Sequence, residues 1–314
     1  MAVLFAEKKR ALGFAACAAA SCFWGCGFFF GKIALEEMNS AFMVLYRFLF
    51  AMPVLLPFLI THRPGLNRRE WGWLALASFL GVPLQFLIQF YALSITTVSH
   101  AALMVGTMPV ILAVGAAVFA HERMDRVGWM ALAGSTCGAA LIALGGGEGG
   151  AGGATLAGDL LVVVSLLIAL FWLLINKKLV ERHSPIVVTT YGLGIGTLML
   201  LLWVPVRYGM PPVAGVSLKA WLALAASGVL CTAATTLLWN WGMTQVPASQ
   251  AGVLLNMEPL IGSLLGVLVL GERLGPSAWA GGGLILASAV TLTTRSTTRV
   301  REQGAEKRVQ GVEG

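Results

Sequence analysis

Charge is what this chain has least of. Of its 314 residues only 11% are Asp, Glu, Lys or Arg, against 58% hydrophobic. A soluble domain carries roughly 25% charged residues, so a water-facing surface is excluded. With a mean hydropathy of +0.83, the composition places the chain in a lipid bilayer, as many spans and not as two globular domains. Histidine is scarce too, and His62, His100, His121 and His183 show no ligand spacing. The five cysteines (Cys17, Cys22, Cys26, Cys137, Cys231) all fall in apolar runs. They read as small packing residues, with no disulfide framework and no metal site. There is no stripe of basic residues interleaved with aromatics, so the net charge of +7 does not point to nucleic acid. Gly-x-Ser-x-Gly is absent. "FFFGKI" is not a phosphate loop, because Cys26 stands where its first glycine belongs and Ile33 where Ser or Thr belongs. No cofactor and no ATPase are expected.

What the chain does have is long apolar runs. Windows of the length a span needs, ~20 residues, fall at about 12–31, 41–60, 71–95, 98–119, 127–145, 157–175, 186–206, 219–243, 248–270 and 277–294. Backbone groups in lipid must be satisfied within the segment, which makes each a helix. The first window has the charged start of a signal peptide, but its apolar run continues past Phe30 and is too long for one. With ten spans both termini share a side. Placing them in the cytoplasm puts sixteen Lys and Arg inside and only Lys32, Arg207, Lys219 and Arg273 at the outer border.

"GGGEGGAGGA" divides the chain almost in half and reads as an external connector. Across it, residues 91–129 align without gaps on 241–279, at a constant offset of 150. Ser99 meets Ser249, Pro109 meets Pro259, Glu122-Arg123 meets Glu272-Arg273, and Trp129 meets Trp279. Five spans per half is an odd number, so the halves run oppositely through the membrane, as in many secondary transporters. The expected division is a first repeat over 1–145, a linker over 146–156, a second repeat over 157–294 and a basic cytoplasmic tail over 295–314. Two five-helix halves, each ending in Pro-x(12)-Glu-Arg, with Glu before Pro in the second half only, resemble the EamA family of the drug/metabolite transporter superfamily. "CFWGCGFFFGK" looks like that family's opening motif. The resemblance implies an inner-membrane carrier of small metabolites, often an amino-acid exporter, with a central cavity. A channel is the alternative and an intramembrane enzyme a weaker one, since Glu258 has no His, Asp or second Glu nearby in its span.

Candidate cavity residues follow from polarity at helical spacing. Gln85 and Gln89 share one face of the third span beside Tyr91, and Thr232, Thr235, Thr236 and Trp239 form a stripe on the eighth. Amides facing lipid are costly, so these faces should turn inward, with helix–helix hydrogen bonding as the competing role. Trp24, Tyr46, Trp172 and Tyr191 are deep aromatics suited to an apolar or cationic solute, or simply to core packing. Arg47 lies about six residues into its span, and snorkelling to the outer surface is favoured over capture of a substrate carboxylate. Asn256 does not obviously share a helix face with Glu258. Pro109 and Pro259 are expected to kink their helices. Glu258, near the midplane, has three open readings: repair of the backbone at Pro259, a pair with Arg47, or a wet site for a proton or a substrate ammonium. The partners expected are a small-molecule substrate, amino acids first, and the bilayer, with monomer or homodimer left open. The small-residue runs "AGSTCGAA" and "WAGGGLILASA" should pack helices closely.

Overall fold

The computed structural model describes residues 2–119, 126–145, 154–243, 245–246 and 254–291. Most of the glycine connector, Glu122-Arg123, His121, Ser249 and the 295–314 tail lie outside the described residues. Among the described residues the regular structure is all helix: α1 (Ala2–Leu35), α2 (Ser40–Thr61), α3 (Arg68–Phe79), α4 (Gln85–Ser94), α5 (Val98–Val105), α6 (Met108–Phe119) and α7 (Arg126–Gly145). After the connector come α8 (Leu156–Val180), α9 (Pro185–Tyr208), α10 (Leu218–Gly228), α11 (Thr235–Met243) and α12 (Met257–Leu268). A last helix, α13, covers residues 276–291. Among the described residues, six stretches are long and apolar enough to cross a membrane: Lys9–Leu35, Ser40–Thr61, Arg68–Ser94, Leu156–Val180, Pro185–Tyr208 and Leu218–Met243. They match six of the apolar windows, with α1 starting well before the first window.

Two of these stretches contain a widened, π-helical turn. One covers Leu80–Leu84, between α3 and α4, and the other Val229–Ala234, between α10 and α11. They recur at nearly the spacing of the sequence repeat. In the second turn, Thr232 and Thr235 each donate a hydroxyl to the carbonyl five residues back, at 3.1 and 2.6 Å. Such turns are rare and are found disproportionately at functional sites.

The prolines do not kink continuous helices as expected. The chain tightens just before each one. Gly106 and Thr107 bond to carbonyls three residues back, at 3.0 Å each, and Glu258 does the same to Leu255 at 3.1 Å. The helix then restarts at Met108 and at Met257, which puts Pro109 and Pro259 in first turns. A first turn has unpaired N–H positions anyway, so a proline there frees no carbonyl. Backbone repair by Glu258 therefore has nothing to repair.

Packing repeats as well. α1 lies along α10, α11 and α12, while α8 lies along α3, α4 and α6. The small-residue runs are used against each other: a methyl on Gly134 would come 2.6 Å from Ser288 Oγ, and one on Gly138 2.5 Å from the Gly281 carbonyl. That joins α7 to α13. Acidic caps tie distant segments together. Glu37, in the exposed turn after α1, accepts the backbone N–H of Ser217 at 2.7 Å and its hydroxyl, contacts that hold the carboxyl below its usual range.

Candidate functional site

The polar interior is built around α1. Arg47, in the second turn of α2, is 3% exposed and does not snorkel. Its Nε–H donates to Thr232 Oγ1 at 2.8 Å and its Nη2–H to the Cys231 carbonyl at 3.1 Å, both in the second π turn. The guanidinium carbon lies 5.0 Å from the ring centre of Phe86 and 5.1 Å from that of Phe90. The snorkelling expectation fails because the protein supplies substitutes for water: a hydroxyl, a carbonyl and two aromatic faces. Gly27 of α1 leaves the guanidinium room, since a methyl there would already stand 3.5 Å from both Nη atoms.

Glu258 occupies the first turn of α12, half-buried. Its side chain accepts no hydrogen bond and makes no ion pair within 4.0 Å among the described residues. The direct pair with Arg47, one of the three readings of Glu258, is not formed, although both residues pack against neighbouring positions of α1, at Gly27 and Gly25. Trp24 of α1 faces Trp239 of α11 with ring centres 5.4 Å apart.

The other candidates divide. Thr232 joins the Arg47 site, whereas Thr235 and Thr236 bond back to their own helix carbonyls. Gln85 and Gln89 are buried, and Gln85 Oε1 is sealed without a partner. Both sit on α4, which runs along α8, where Trp172 packs on Gly81. Asn256 is buried at the start of α12. Three aromatics lie elsewhere. Tyr46 donates to the Pro212 carbonyl at 3.1 Å and packs on Trp221. Tyr191 donates to the carbonyls of Leu59 and His62, at 3.2 Å each, and packs on Trp71. Tyr91 is 53% exposed, on the outside of the bundle. Depth in a span singles out Tyr46 and Tyr191, and Tyr91 is chosen for standing beside Gln85 and Gln89, but helix rotation decides which way a ring points.

Sequence reasoning missed a second polar centre, at the junction of α4 and α5. Lys32 Nζ donates to the carbonyls of Leu93 and Thr96, at 2.8 and 2.6 Å. Thr96 Oγ1 donates to Asp159 Oδ1 at 2.6 Å, and His100 Nδ1 lies 2.8 Å from Asp159 Oδ2. Glu272 accepts the backbone N–H groups of Val98 and Ser99, at 2.7 and 2.8 Å, together with the Ser99 hydroxyl. Glu272 and Ser99 are both positions kept by the internal repeat, so this cap supplies a physical reason for their recurrence. Removing a helix cap costs about 0.5–2 kcal/mol. Glu272→Ala strips two backbone N–H groups of their acceptor, and its expected cost is at the upper end of that range, about 2 kcal/mol. Thermal unfolding in detergent reads it, and an unchanged midpoint would dismiss the cap.

An all-helical bundle with six span-length apolar stretches and a charged, aromatic interior defines a multi-pass membrane protein built around a polar centre. Comparison with known proteins makes the class specific. Residues 11–144 and 156–294 match the EamA-like transporter family. The chain belongs to that family and is a membrane transporter. It is 26% identical over 282 residues to an uncharacterized transporter of Archaeoglobus fulgidus, covering 86% of this chain and 93% of that protein. A protein of Streptantibioticus cattleyicolor named a probable terminal-alkyne amino-acid exporter is 28% identical over 208 residues, 64% of this chain and 66% of its own length. One of Pseudomonas aeruginosa named a probable biotin transporter is 27% identical over 265 residues, 82% of this chain and 89% of its own length. A crystal structure superposes with a TM-score of 0.62 at 18% identity, over 91% of this chain and 98% of that one. That last likeness is one of fold.

Proposed function

We propose that this transporter is a secondary exporter of small metabolites, amino acids first among them, working by alternating access without ATP. In this reading ten transmembrane helices form two inverted five-helix repeats, 1–145 and 157–294, with 146–156 outside and both termini in the cytoplasm of the inner membrane. The tail over 295–314 is cytoplasmic too. The observation that carries the reading is the pair of π turns at Leu80–Leu84 and Val229–Ala234. Each interrupts the long helix of its own half where that helix meets the other elements of the core. One lies against α8 and α9, the other against α1 and α2. Two copies of one widened turn, at matching places in the two repeats, suit halves that rock around a fixed site. The two segments matched by the family stop at 144 and resume at 156, which fits the same division. The relative named as an amino-acid exporter favours that substrate class.

Counterflow in proteoliposomes tests the mechanism. A labelled amino acid should accumulate transiently against its own unlabelled pool, saturably and without ATP. Flux that never saturates and shows no counterflow would make the protein a channel. The topology is tested with a protease site inserted in the 146–156 linker. Cleavage from the periplasmic side only is expected, and cleavage from the cytoplasmic side only would invert the assignment.

A further inference from the structure

The geometry points to a two-point site for a zwitterion, in which Arg47 takes a substrate carboxylate and Glu258 takes the ammonium of the same molecule. The inference rests on the reading of the chain as a transporter of small solutes, and it names the charge pattern such a solute must carry.

A guanidinium has five N–H donors. Arg47 commits its Nε–H to Thr232 and one Nη2–H to the Cys231 carbonyl. That leaves one N–H on Nη2 and both on Nη1, with no acceptor for them among the described residues. Burying a cation away from any carboxylate is costly, and a protein that keeps one does so where an anion can complete it. The partners Arg47 already has fix the plane of the group through Thr232 and the two Phe rings. They leave its Nη1 edge unspent, which is the arrangement that receives a carboxylate oxygen.

Glu258 is the complement. It has no hydrogen bond and no cation within 4.0 Å among the described residues, and its backbone lies on α1 at Gly25, two residues from the Gly27 that borders the Arg47 guanidinium. The polar side-chain atoms that the fold seals without partners include Gln85 Oε1, Thr190 Oγ1 and Ser227 Oγ, and neither Arg47 Nη1 nor the Glu258 carboxylate is among them. Both groups therefore keep some accessible surface and are not sealed in by the fold. An α-amino acid carries its ammonium and its carboxylate on one carbon, so it can answer both groups at once while keeping them apart. Trp24 immediately precedes Gly25, whose backbone lies so close to α12 that a methyl on it would stand 2.6 Å from the Glu258 carbonyl. With Trp239 it offers aromatic faces that suit an apolar side chain and also attract an ammonium. A dicarboxylate would set its second charge against Glu258 and a diamine against Arg47, so like charge excludes both.

The test uses purified full-length protein and reads binding by tryptophan fluorescence, first across the twenty standard amino acids. The tightest binder is then compared with its carboxamide, which lacks the carboxylate charge, and with its deaminated acid, which lacks the ammonium. Wild-type protein should bind the amino acid more tightly than either analogue. Arg47→Gln should weaken the amino acid and the acid about tenfold or more, while the amide stays within about twofold. Glu258→Gln should weaken the amino acid and the amide in the same way and spare the acid. Arg47→Lys keeps the charge without the fork and should fall between. If Arg47→Gln fails to fold, Arg47→Lys and Glu258→Gln still give the crossed comparison. Equal losses for all three ligands, no change in any, or no binding by any amino acid would each overturn the site. Binding with the crossed pattern but no saturable counterflow would overturn the transport mechanism and leave the site standing. Counterflow indifferent to both substitutions would do the reverse.

Discussion

Replacing Asp159 with alanine is expected to cost about 2–6 kcal/mol of stability, because it leaves two buried donors without an acceptor at about 1–3 kcal/mol each. Asp159 is fully buried in the first turn of α8, and His100 is 4% exposed. An ionised carboxylate can only accept, so His100 Nδ1 carries the proton of their 2.8 Å contact. Thr96 donates to the other oxygen at 2.6 Å. Alanine leaves a ring N–H and a hydroxyl buried with nothing to meet, at the junction where α4 ends and α5 begins. Acidic groups also sit well near a helix N-terminus, and that contribution goes as well. Asp159→Asn should be milder, because its amide oxygen can still accept from Thr96. Thr96→Val removes one hydrogen bond and should cost about 1 kcal/mol. Thermal or denaturant unfolding in detergent measures all three. If Asp159→Ala unfolds within about 0.5 kcal/mol of wild type, the range of an ordinary surface change, the junction is not held by this pair.

That junction was invisible in the sequence for a plain reason. Asp159 and His100 are 59 residues apart, in different halves of the chain, and neither carries a local pattern that announces the other. Apolar length behaves differently, because lipid imposes it on each segment separately. The second window, 41–60, became Ser40–Thr61, and the eighth, 219–243, became Leu218–Met243. The π turns had no such signature: one contains Pro83, while the other, "VLCTAA", has neither proline nor glycine. Widening there is set by what packs alongside. Arg47 shows the same limit. Its depth was legible from position, but whether it reaches water or turns inward depends on Thr232 and on Phe86 and Phe90, which belong to other helices. Glu258 stands out in the sequence as a carboxylate in an apolar run, and the proline beside it suggests a repair that the first-turn position makes unnecessary. What the sequence could not show was that Arg47 and Glu258 would share an interior while remaining unpaired.

The closeness of α1 to α12 sets that separation, and Gly25→Val should abolish transport more completely than it reduces the amount of protein in the membrane. A side chain at Gly25 would begin with a methyl 2.6 Å from the Glu258 carbonyl, 3.0 Å from Ile261 Cβ and 3.1 Å from the Gly262 N–H nitrogen. Two of those three atoms are backbone and cannot swing away. Gly262 is pinned from behind, because a methyl on it would stand 2.5 Å from Ala102 Cβ of α5. The strain must therefore be met by α1 moving as a body. α1 carries Trp24 against Trp239 and Gly27 against the Arg47 guanidinium, so the movement disturbs both ends of the polar site together. Overpacking of this kind costs about 1–3 kcal/mol, which a folded bundle can survive. A site whose two charges must meet one small molecule tolerates much less, since a displacement of about 1 Å can cost a hundredfold in rate. Gly25→Ala, with one methyl, should lie between wild type and valine in both stability and flux. Gly72→Ala is the control: nothing lies within 4 Å of a methyl there, and alanine in a helix should be neutral or stabilise by about 0.4–1 kcal/mol. Valine at position 25 with wild-type counterflow and an unchanged unfolding midpoint would mean that α1 and α12 do not approach as closely as this structure has them.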